Sequence, residues 1–170
     1  IMLVCPSDHY IADQTAFECA AVDAARLAAD DWLVSLAIQP DRPEIGYGYV
    51  KRGQSLETGS RVEKFVEKPS LDTAIKFLAD GGYSWNGGIF AFRAGGMLAE
   101  LRTHRPEMAR LIEAAIESGG IAESHFRPAS DPFMAIEGES IDYAVMEKTQ
   151  SACMVPLDAN WSDVGSWSSL

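Results

Sequence analysis

Short apolar runs alternate along this chain with amphipathic stretches, and glycine, proline and polar turn residues separate them. Residues 1–5 and 32–38 have the length and composition of buried strands. Further strands are predicted at 47–51, 62–67, 88–93 and 153–157. Because strands and helical stretches follow one another in turn, the pattern predicts an α/β fold whose sheet has mixed strand directions.

The helical stretches have recognisable starts and ends. Thr15, followed by Glu18 three residues later, resembles a capping box and predicts a helix start at Thr15. A second helix is predicted to start at Pro69-Ser70 and to end at Gly81-Gly82, and a third to start near Pro106 and end before Gly119. The segment 120–138 is expected to be irregular, and Ser140 is expected to cap a short helix that runs to Met146. The predicted buried face of the second helix consists of Leu71, Ala74, Ile75 and Leu78.

Composition narrows the classes of protein that fit. The 170 residues suit a single domain, and the 47% hydrophobic content excludes wholesale disorder. With 14 Lys and Arg against 25 Asp and Glu, the net charge of -11 argues against a nucleic-acid groove. No apolar run reaches the roughly 18–20 residues that cross a bilayer, so no membrane partner is expected. The acidity leaves carboxylates available to bind a hard cation.

Cysteine content and the first residues bear on compartment and completeness. Cys5, Cys19 and Cys153 are odd in number and widely spaced, which favours a reducing cytoplasm over a disulfide framework or a zinc site. An apolar strand at the very first residue suggests that the sequence begins partway into a longer chain.

Four polar clusters adjoin the predicted strands, where open α/β sheets bind ligands. They are residues 6–9, 67–69, 85–88 and 161–167. Asp8 and Asp163 follow different strands, and two such carboxylates can converge on one divalent cation such as magnesium. The structural alternative is that Asp8 caps a turn and Asp163 caps a following helix, since aspartate is favoured in both places.

The cluster at 67–69 pairs opposite charges beside a proline. Lys68 can act as a point charge for a phosphate, and Glu67 can accept hydrogen bonds from sugar hydroxyls. The alternative is a solvated surface pair that contributes at most about 1 kcal/mol.

Two further positions suit close contact with a ligand. Gly48, within the stretch GYGY, lets the backbone approach a ligand, although glycine also serves an edge strand or a bulge. Asn86 presents an amide beside Gly87-Gly88, which suits hydroxyl recognition and equally suits a tight turn.

Taken in order, these clusters resemble the bacterial mannose-1-phosphate guanylyltransferases. The matching stretches are PSDHYI (6–11), PEIGYGYV (43–50), FVEKPS (65–70), YSWNGGIFAFRA (83–94), SIDYAVMEKT (140–149) and WSDVGSW (161–167). The sequence departs from the usual family residues at Ser7, Ile45, Gly87 and Asn160. The resemblance implies a Rossmann-like mixed sheet with flanking helices, in a domain that lacks the family's N-terminal glycine-rich nucleotide loop. Residues 1–170 would then be the carboxyl-side portion of the catalytic domain, and their activity in isolation is left open.

The resemblance also implies a reaction and a set of roles. A phosphate oxygen of mannose 1-phosphate would attack the α-phosphorus of GTP and release pyrophosphate. Asp8 and Asp163 would hold Mg²⁺, Lys68 would neutralise the sugar phosphate, and Glu67, Asn86 and the backbone at Gly48 would bind the hexose. The alternatives are another hexose 1-phosphate or nucleotide, or a non-catalytic regulatory homologue that binds a sugar nucleotide. The oligomeric state is open, with a homo-oligomer as one alternative.

Overall fold

A six-stranded mixed sheet forms the centre of the computed structural model, which describes residues 1–165. Its strands are β1 (Met2–Val4), β3 (Leu33–Ile38), β4 (Tyr49–Ser55), β5 (Ser60–Val66), β6 (Tyr83–Phe92) and β9 (Ala152–Pro156). Their order is β1-β6-β3-β9-β5-β4, and the first residues of β6 also pair with β4. Only β3 and β9 run parallel among these pairs, so the predicted mixture of strand directions is confirmed.

Helices cover both faces of this sheet, and two short ribbons extend it. The helices are α1 (Gln14–Ala29), α2 (Leu71–Asp80), α3 (Ala94–His104), α4 (Pro106–Glu117), α5 (Ser130–Met134) and a π-helix (Asp142–Met146). The ribbons pair β2 (Tyr10–Ile11) with β10 (Trp161–Ser162), and β7 (Gly120–Ala122) with β8 (His125–Arg127). Within residues 1–165, none of the helices combines the length and apolar character that crossing a bilayer requires.

Strand β3 shows why the two helical layers lie on opposite faces. All six of its residues are buried, and successive side chains of a strand point to opposite faces of a sheet. Val34 and Leu36 therefore pack in the core that contains α1 and α2. Leu33 and Ala37 pack in a second core with Met97 of α3 and the buried residues of the π-helix.

Several helix predictions need correction. Helix α1 begins at Gln14 with Asp13 as its N-cap, because an Asp13 carboxylate oxygen accepts a hydrogen bond from the backbone N–H of Ala16 (2.9 Å). Helix α2 has the predicted cap and stop but not the predicted face. Ala74 and Phe77 are its buried residues, whereas Leu71 and Ile75 are 52% and 48% exposed. Phe77 stacks on Tyr83 of β6 with ring centroids 3.9 Å apart, and this contact sets the rotation of the helix.

The chain also contains elements that the sequence pattern did not predict. Helix α3 has two glycines in its first turn, Gly95 and Gly96, and they lower the helix signal there. The segment 120–138 contains the β7–β8 ribbon and α5 instead of irregular structure. The predicted buried strand at the start is a strand, but its apolar side chains are exposed, and β1 pairs only with β6 among the described strands.

Gly59, in the turn between β4 and β5, is expected to be essential for stability. A Cβ at this position would lie 2.3 Å from the backbone carbonyl oxygen of Met154, which β9 holds in place. Gly59→Ala should therefore lower the free energy of unfolding by about 2 kcal/mol or more. Gly95→Ala is the matched control, because nothing lies within 4 Å of its added Cβ in the first turn of α3. Thermal melting of both variants tests this, and an unchanged melting temperature for Gly59→Ala would contradict it.

Candidate active site

The β2–β10 ribbon joins the two sequence segments that carry Asp8 and Asp163. Tyr10 pairs with Ser162, so Asp8 lies two residues before the ribbon on one side and Asp163 directly follows it on the other. Both carboxylates lie close enough to His9 to raise the pKa of its imidazole, although burial outweighs them and the pKa is lowered overall. The fold thus brings together two carboxylates that are distant in the sequence.

Tyr47 fixes the carboxylate of Asp163. Its hydroxyl donates a hydrogen bond of 2.7 Å to Asp163 Oδ1, which also accepts from the backbone N–H of Gly165 (3.2 Å). Burial, followed by this hydrogen bond to a carboxylate, raises the pKa of Tyr47 well above its ordinary value. Tyr47 is therefore a neutral donor across the physiological pH range, and it orients Asp163.

A cavity of about 740 Å³ opens beside Tyr47 and Asp163. Its lining includes Arg42, Tyr47, Trp85, Trp161 and Asp163. The Tyr47 ring meets the Trp85 and Trp161 rings edge to face, at centroid distances of 5.2 and 5.5 Å. The Arg42 guanidinium lies 5.1 Å from the Trp85 ring centroid, within the range of a cation–π interaction. Aromatic faces, the Arg42 cation and several carboxylates, which include Asp41, Glu44 and Asp158 besides Asp163, suit a ligand with both polar and planar apolar surfaces.

Glu67 lies directly after β5 and is buried, unlike a solvated surface acid. Its side chain is only 9% exposed, and its backbone N–H donates to Glu147 Oε1 (2.8 Å). Burial raises the pKa of Glu67 to about 7, and the charge of Asp142 adds to the effect while Lys68 opposes it. Glu67 Oε2 has no hydrogen-bond partner among residues 1–165. The alternative of a solvated Glu67–Lys68 surface pair is therefore wrong for the glutamate.

Lys68 differs from its neighbour. Its side chain is 59% exposed, and its Nζ lies 3.8 Å from Glu67 Oε1. The Lys68 backbone has a φ of 45°, which is uncommon for a residue with a side chain. An exposed ammonium beside a buried carboxyl remains available to a ligand anion.

Gly48 approaches Glu67 more closely than a larger residue could. A Cβ on Gly48 would lie 2.4 Å from Glu67 Oε2 and 3.3 Å from the Asn86 Cβ. The backbone N–H of Asn86 donates to the carbonyl oxygen of Gly48 (2.8 Å). The bare backbone of Gly48 thus packs against two other predicted site residues.

Asn86 lies within β6, so its predicted place just before a strand is wrong, and so is the alternative of a tight turn. The pairing of β3 with β6 shifts register near this residue, and Gly88 has a φ of 67°, as expected at a β-bulge. The Asn86 Oδ1 accepts from the hydroxyl of Ser35 (2.7 Å) and from the backbone N–H of Gly88 (3.2 Å). Its Nδ2 donates to Asp142 Oδ1 (2.9 Å).

The predicted site residues form two groups that meet at one peptide. We call Asp8 and Asp163, which are predicted to hold a metal ion, the metal pair, and we call Gly48, Glu67, Lys68 and Asn86, which are predicted to bind a hexose, the hexose group. Tyr47 contacts Asp163 in the first group, and the next residue, Gly48, contacts Glu67 and Asn86 in the second. The last two residues of the WSDVGSW stretch lie outside the described residues.

Three polar contributors to this region were not predicted as site residues. Tyr47 belongs to the GYGY stretch, from which only Gly48 is predicted to be a site residue. Asp142 belongs to the SIDYAVMEKT stretch, which supported the resemblance but carried no assigned role. Ser35 is a polar residue in an otherwise apolar strand. A buried serine needs a hydrogen-bond partner, so its presence in such a run is the sequence feature that could have indicated a polar contact here.

Comparisons with known proteins bear on the family to which the chain belongs. The family model described as nucleotidyl transferase matches residues 1–170. The xanthan biosynthesis protein XanB of Xanthomonas campestris pv. campestris (strain B100) is 50% identical over 171 residues, which is all of this chain and 36% of the relative. A mannose-1-phosphate guanylyltransferase of Escherichia coli (strain K12) is 46% identical over 176 residues, again all of this chain and 37% of the relative. The chain therefore spans about a third of the length of these curated relatives.

Solved structures give the same result. A Thermus thermophilus protein described as mannose-1-phosphate geranyltransferase superposes with a TM-score of 0.85 at 35% identity, over 97% of this chain and 47% of the other. A Helicobacter pylori protein described as mannose-6-phosphate isomerase has a TM-score of 0.84 at 37% identity, over 94% of this chain and 62% of the other. The match of the family model to the whole sequence, on an α/β fold of this kind, shows that the chain belongs to the nucleotidyl transferase family.

Proposed function

We propose that the protein containing this chain makes GDP-mannose from mannose 1-phosphate and GTP, with release of pyrophosphate. The observation that carries the proposal is the junction at Tyr47 and Gly48, where an acidic pair adjoins a buried group suited to a sugar phosphate. The names of two of its relatives, one a guanylyltransferase and one a xanthan biosynthesis protein, support the same substrate class.

The hexose group supplies binding and alignment. Lys68 would neutralise the phosphate of mannose 1-phosphate, since its ammonium is exposed next to the buried Glu67. Glu67 would accept hydrogen bonds from hexose hydroxyls, and the Gly48 backbone and the Asn86 amide would fix the ring. Phosphoryl transfer depends mainly on such alignment and on charge neutralisation, because the protein has little covalent chemistry to perform.

The metal pair fits magnesium as a cofactor. Residues 1–165 contain no group of three or more His, Cys, Asp or Glu side chains that could hold a metal by themselves. Magnesium does not need such a group, because it commonly binds through one or two carboxylates and completes its octahedron with water and substrate phosphates. Asp8 and Asp163 would supply these carboxylates, with Asp163 oriented by Tyr47. When bound, the ion would neutralise the charge that develops on the phosphates.

The proposal includes the cellular compartment and the partners of the enzyme. Cys5 and Cys19 are exposed, Cys153 is buried, and all three are free thiols, which supports a reducing cytoplasm. The partners proposed are GTP and mannose 1-phosphate, with neither nucleic acid nor membrane required, and a homo-oligomer stays an open alternative.

The intact protein, supplied with mannose 1-phosphate, GTP and magnesium, is expected to release pyrophosphate and GDP-mannose in equal amounts. Chromatography of the nucleotide sugar together with a coupled pyrophosphate assay measures both products. A panel of glucose 1-phosphate, ATP, UTP and dTTP as replacements tests the specificity. Equal or better turnover with another sugar phosphate or nucleotide would contradict the assigned substrates. Ligand binding without turnover would favour a regulatory homologue.

A further inference from the structure

We propose that Asp142 is a further positioning residue of the hexose group, where it orients the Asn86 amide and acts through its charge on the buried carboxyl of Glu67; we call Asp142 and Glu67 the acid pair. The inference rests on the proposed function, because it takes this group to be the binding site for the sugar phosphate. Asp142 opens the π-helix, 56 residues from Asn86 in the sequence.

The hydrogen bonds around Asn86 leave its amide one orientation. The backbone N–H of Gly88 can only donate, so the Asn86 atom that faces it must be the carbonyl oxygen. The buried Ser35 hydroxyl donates to the same oxygen. The amide nitrogen then points towards Asp142, which takes one of its two hydrogens. Without Asp142, nothing identified among residues 1–165 would hold the nitrogen side of this amide.

Glu67 supplies the independent observation that this cluster is built for a ligand. Its side chain is nine-tenths buried, yet Oε2 has no hydrogen-bond donor among residues 1–165. A buried polar atom without a partner costs about 1–3 kcal/mol. Such a cost is tolerated at functional sites, where a ligand or a proton can satisfy the atom.

Three charged groups act on Glu67. Asp142 and Glu147, at the two ends of the π-helix, raise the pKa of its carboxyl, and Lys68 lowers it. Gly48, which lies against Glu67 from the sheet, carries no charge. Two carboxyls with a raised pKa therefore lie in one cluster, since burial also raises the pKa of Asp142.

The backbone has unusual conformations at Asp142 and at the residue that follows Glu67. Asp142 opens a π-helix, and π-helical turns are frequent at functional sites. Lys68, next to Glu67, has a positive φ, a strain that persists only where the surroundings enforce it. Buried Val145 and Met146 anchor the π-helix against the sheet, so Asp142 is held in place by packing.

The acid pair predicts how pH controls sugar binding. Hydrogen bonds from ligand hydroxyls to Glu67 are strongest while its carboxylate is ionised, so affinity should fall as pH drops below about 7, the pKa of Glu67. Removing the Asp142 charge should lower the pKa of Glu67, so binding should persist to lower pH. The phosphate of the ligand titrates identically with every variant, so differences between variants report on the protein.

The test measures the Kd of mannose 1-phosphate by calorimetry between pH 5.5 and 8.5, with the intact protein and four variants. Asp142→Asn keeps an acceptor for Asn86 but removes the charge. At pH 8 its Kd should stay within about threefold of the wild-type Kd. The midpoint of its pH profile should lie about one pH unit below that of the wild type. Asp142→Ala also loses the acceptor, and its Kd should rise about tenfold at pH 8. Glu67→Gln should weaken binding and flatten the pH profile. Asp72→Asn, in the exposed first turn of α2, is the charge control and should behave like the wild type.

The outcomes separate the inference from the proposed function. If both Asp142 variants keep the wild-type Kd and pH profile while Glu67→Gln weakens binding, the role of Asp142 is refuted and the hexose site stands. If Glu67→Gln also binds normally, the site assignment itself fails. If Asp142→Ala does not fold, the pH profile of Asp142→Asn decides: a downward shift supports the acid pair, and an unchanged midpoint refutes it.

Discussion

Replacing Asp163 with alanine in the intact protein should lower kcat about a thousandfold or more, while the fold is retained. The proposed reaction brings several phosphate charges together, and Asp163 is one of the two carboxylates that would hold the neutralising magnesium. Its side chain makes one hydrogen bond with Tyr47 and one with the backbone of Gly165. Losing these contacts should cost about 1–2 kcal/mol, which a stable domain survives. Steady-state kinetics with mannose 1-phosphate and GTP, together with thermal melting, measures both effects.

A second substitution separates charge from hydrogen bonding. Asp163→Asn keeps an acceptor for the Tyr47 hydroxyl, so its melting temperature should match the wild type more closely than that of Asp163→Ala. It should be almost as inactive, because the missing charge is what the metal requires. Asp72→Asn, on the exposed first turn of α2, controls for loss of one acid elsewhere. Normal turnover by Asp163→Asn would refute the metal role of this residue.

Gly48→Ala is expected to lower kcat/KM for mannose 1-phosphate about a hundredfold, by displacing Glu67. The added methyl group would lie 2.4 Å from Glu67 Oε2, a separation that atoms do not tolerate. Asn86 Cβ at 3.3 Å and Phe65 Cε1 at 3.4 Å leave the methyl little room to move aside. Glu67 must therefore leave its buried position, and a misplacement of about 1 Å can cost this much activity. Kinetics at saturating GTP measure the loss.

Two controls test the reason for this loss. Gly138→Ala adds the same methyl group where nothing lies within 4 Å, and it should leave the kinetics unchanged. In a Glu67→Ala background, Gly48→Ala should cost little more, because the clashing carboxylate is already gone. Full additivity of the two substitutions would show that Gly48 acts by some route other than Glu67.

The elements that the sequence predicts well are those whose signals are local. Strands β3 and β9 are short apolar runs with clear limits, and α4 begins at a proline. The start of α1 was wrong because Asp13 and Thr15 are both good N-cap residues, and only the structure distinguishes them. The predicted buried face of α2 is wrong because Phe77 packs against Tyr49 and Tyr83, which lie in other parts of the chain.

The features of the site also fall into those that local sequence predicts and those that depend on the whole fold. The positions of polar clusters after strands predicted where Asp8, Glu67 and Asp163 would lie, because that rule depends only on the order of elements. The Tyr47–Asp163 hydrogen bond joins residues 116 apart, so no local pattern could reveal it. Asn86 was placed outside its strand because two consecutive glycines resemble a turn, whereas here they accompany a bulge within β6. Such pairings depend on strand register and on the whole fold.

The single peptide that joins Tyr47 to Gly48 provides a short covalent link between the two halves of the site. Tyr47 holds a carboxylate of the metal pair, and Gly48 lies against the carboxyl of the hexose group. A peptide unit is planar and stiff, so a displacement at one end is transmitted to the other. Occupancy by the sugar phosphate should therefore change how firmly the acidic pair is held. Cation affinity measured in the presence and absence of the sugar should differ by the same factor as sugar affinity measured with and without the cation.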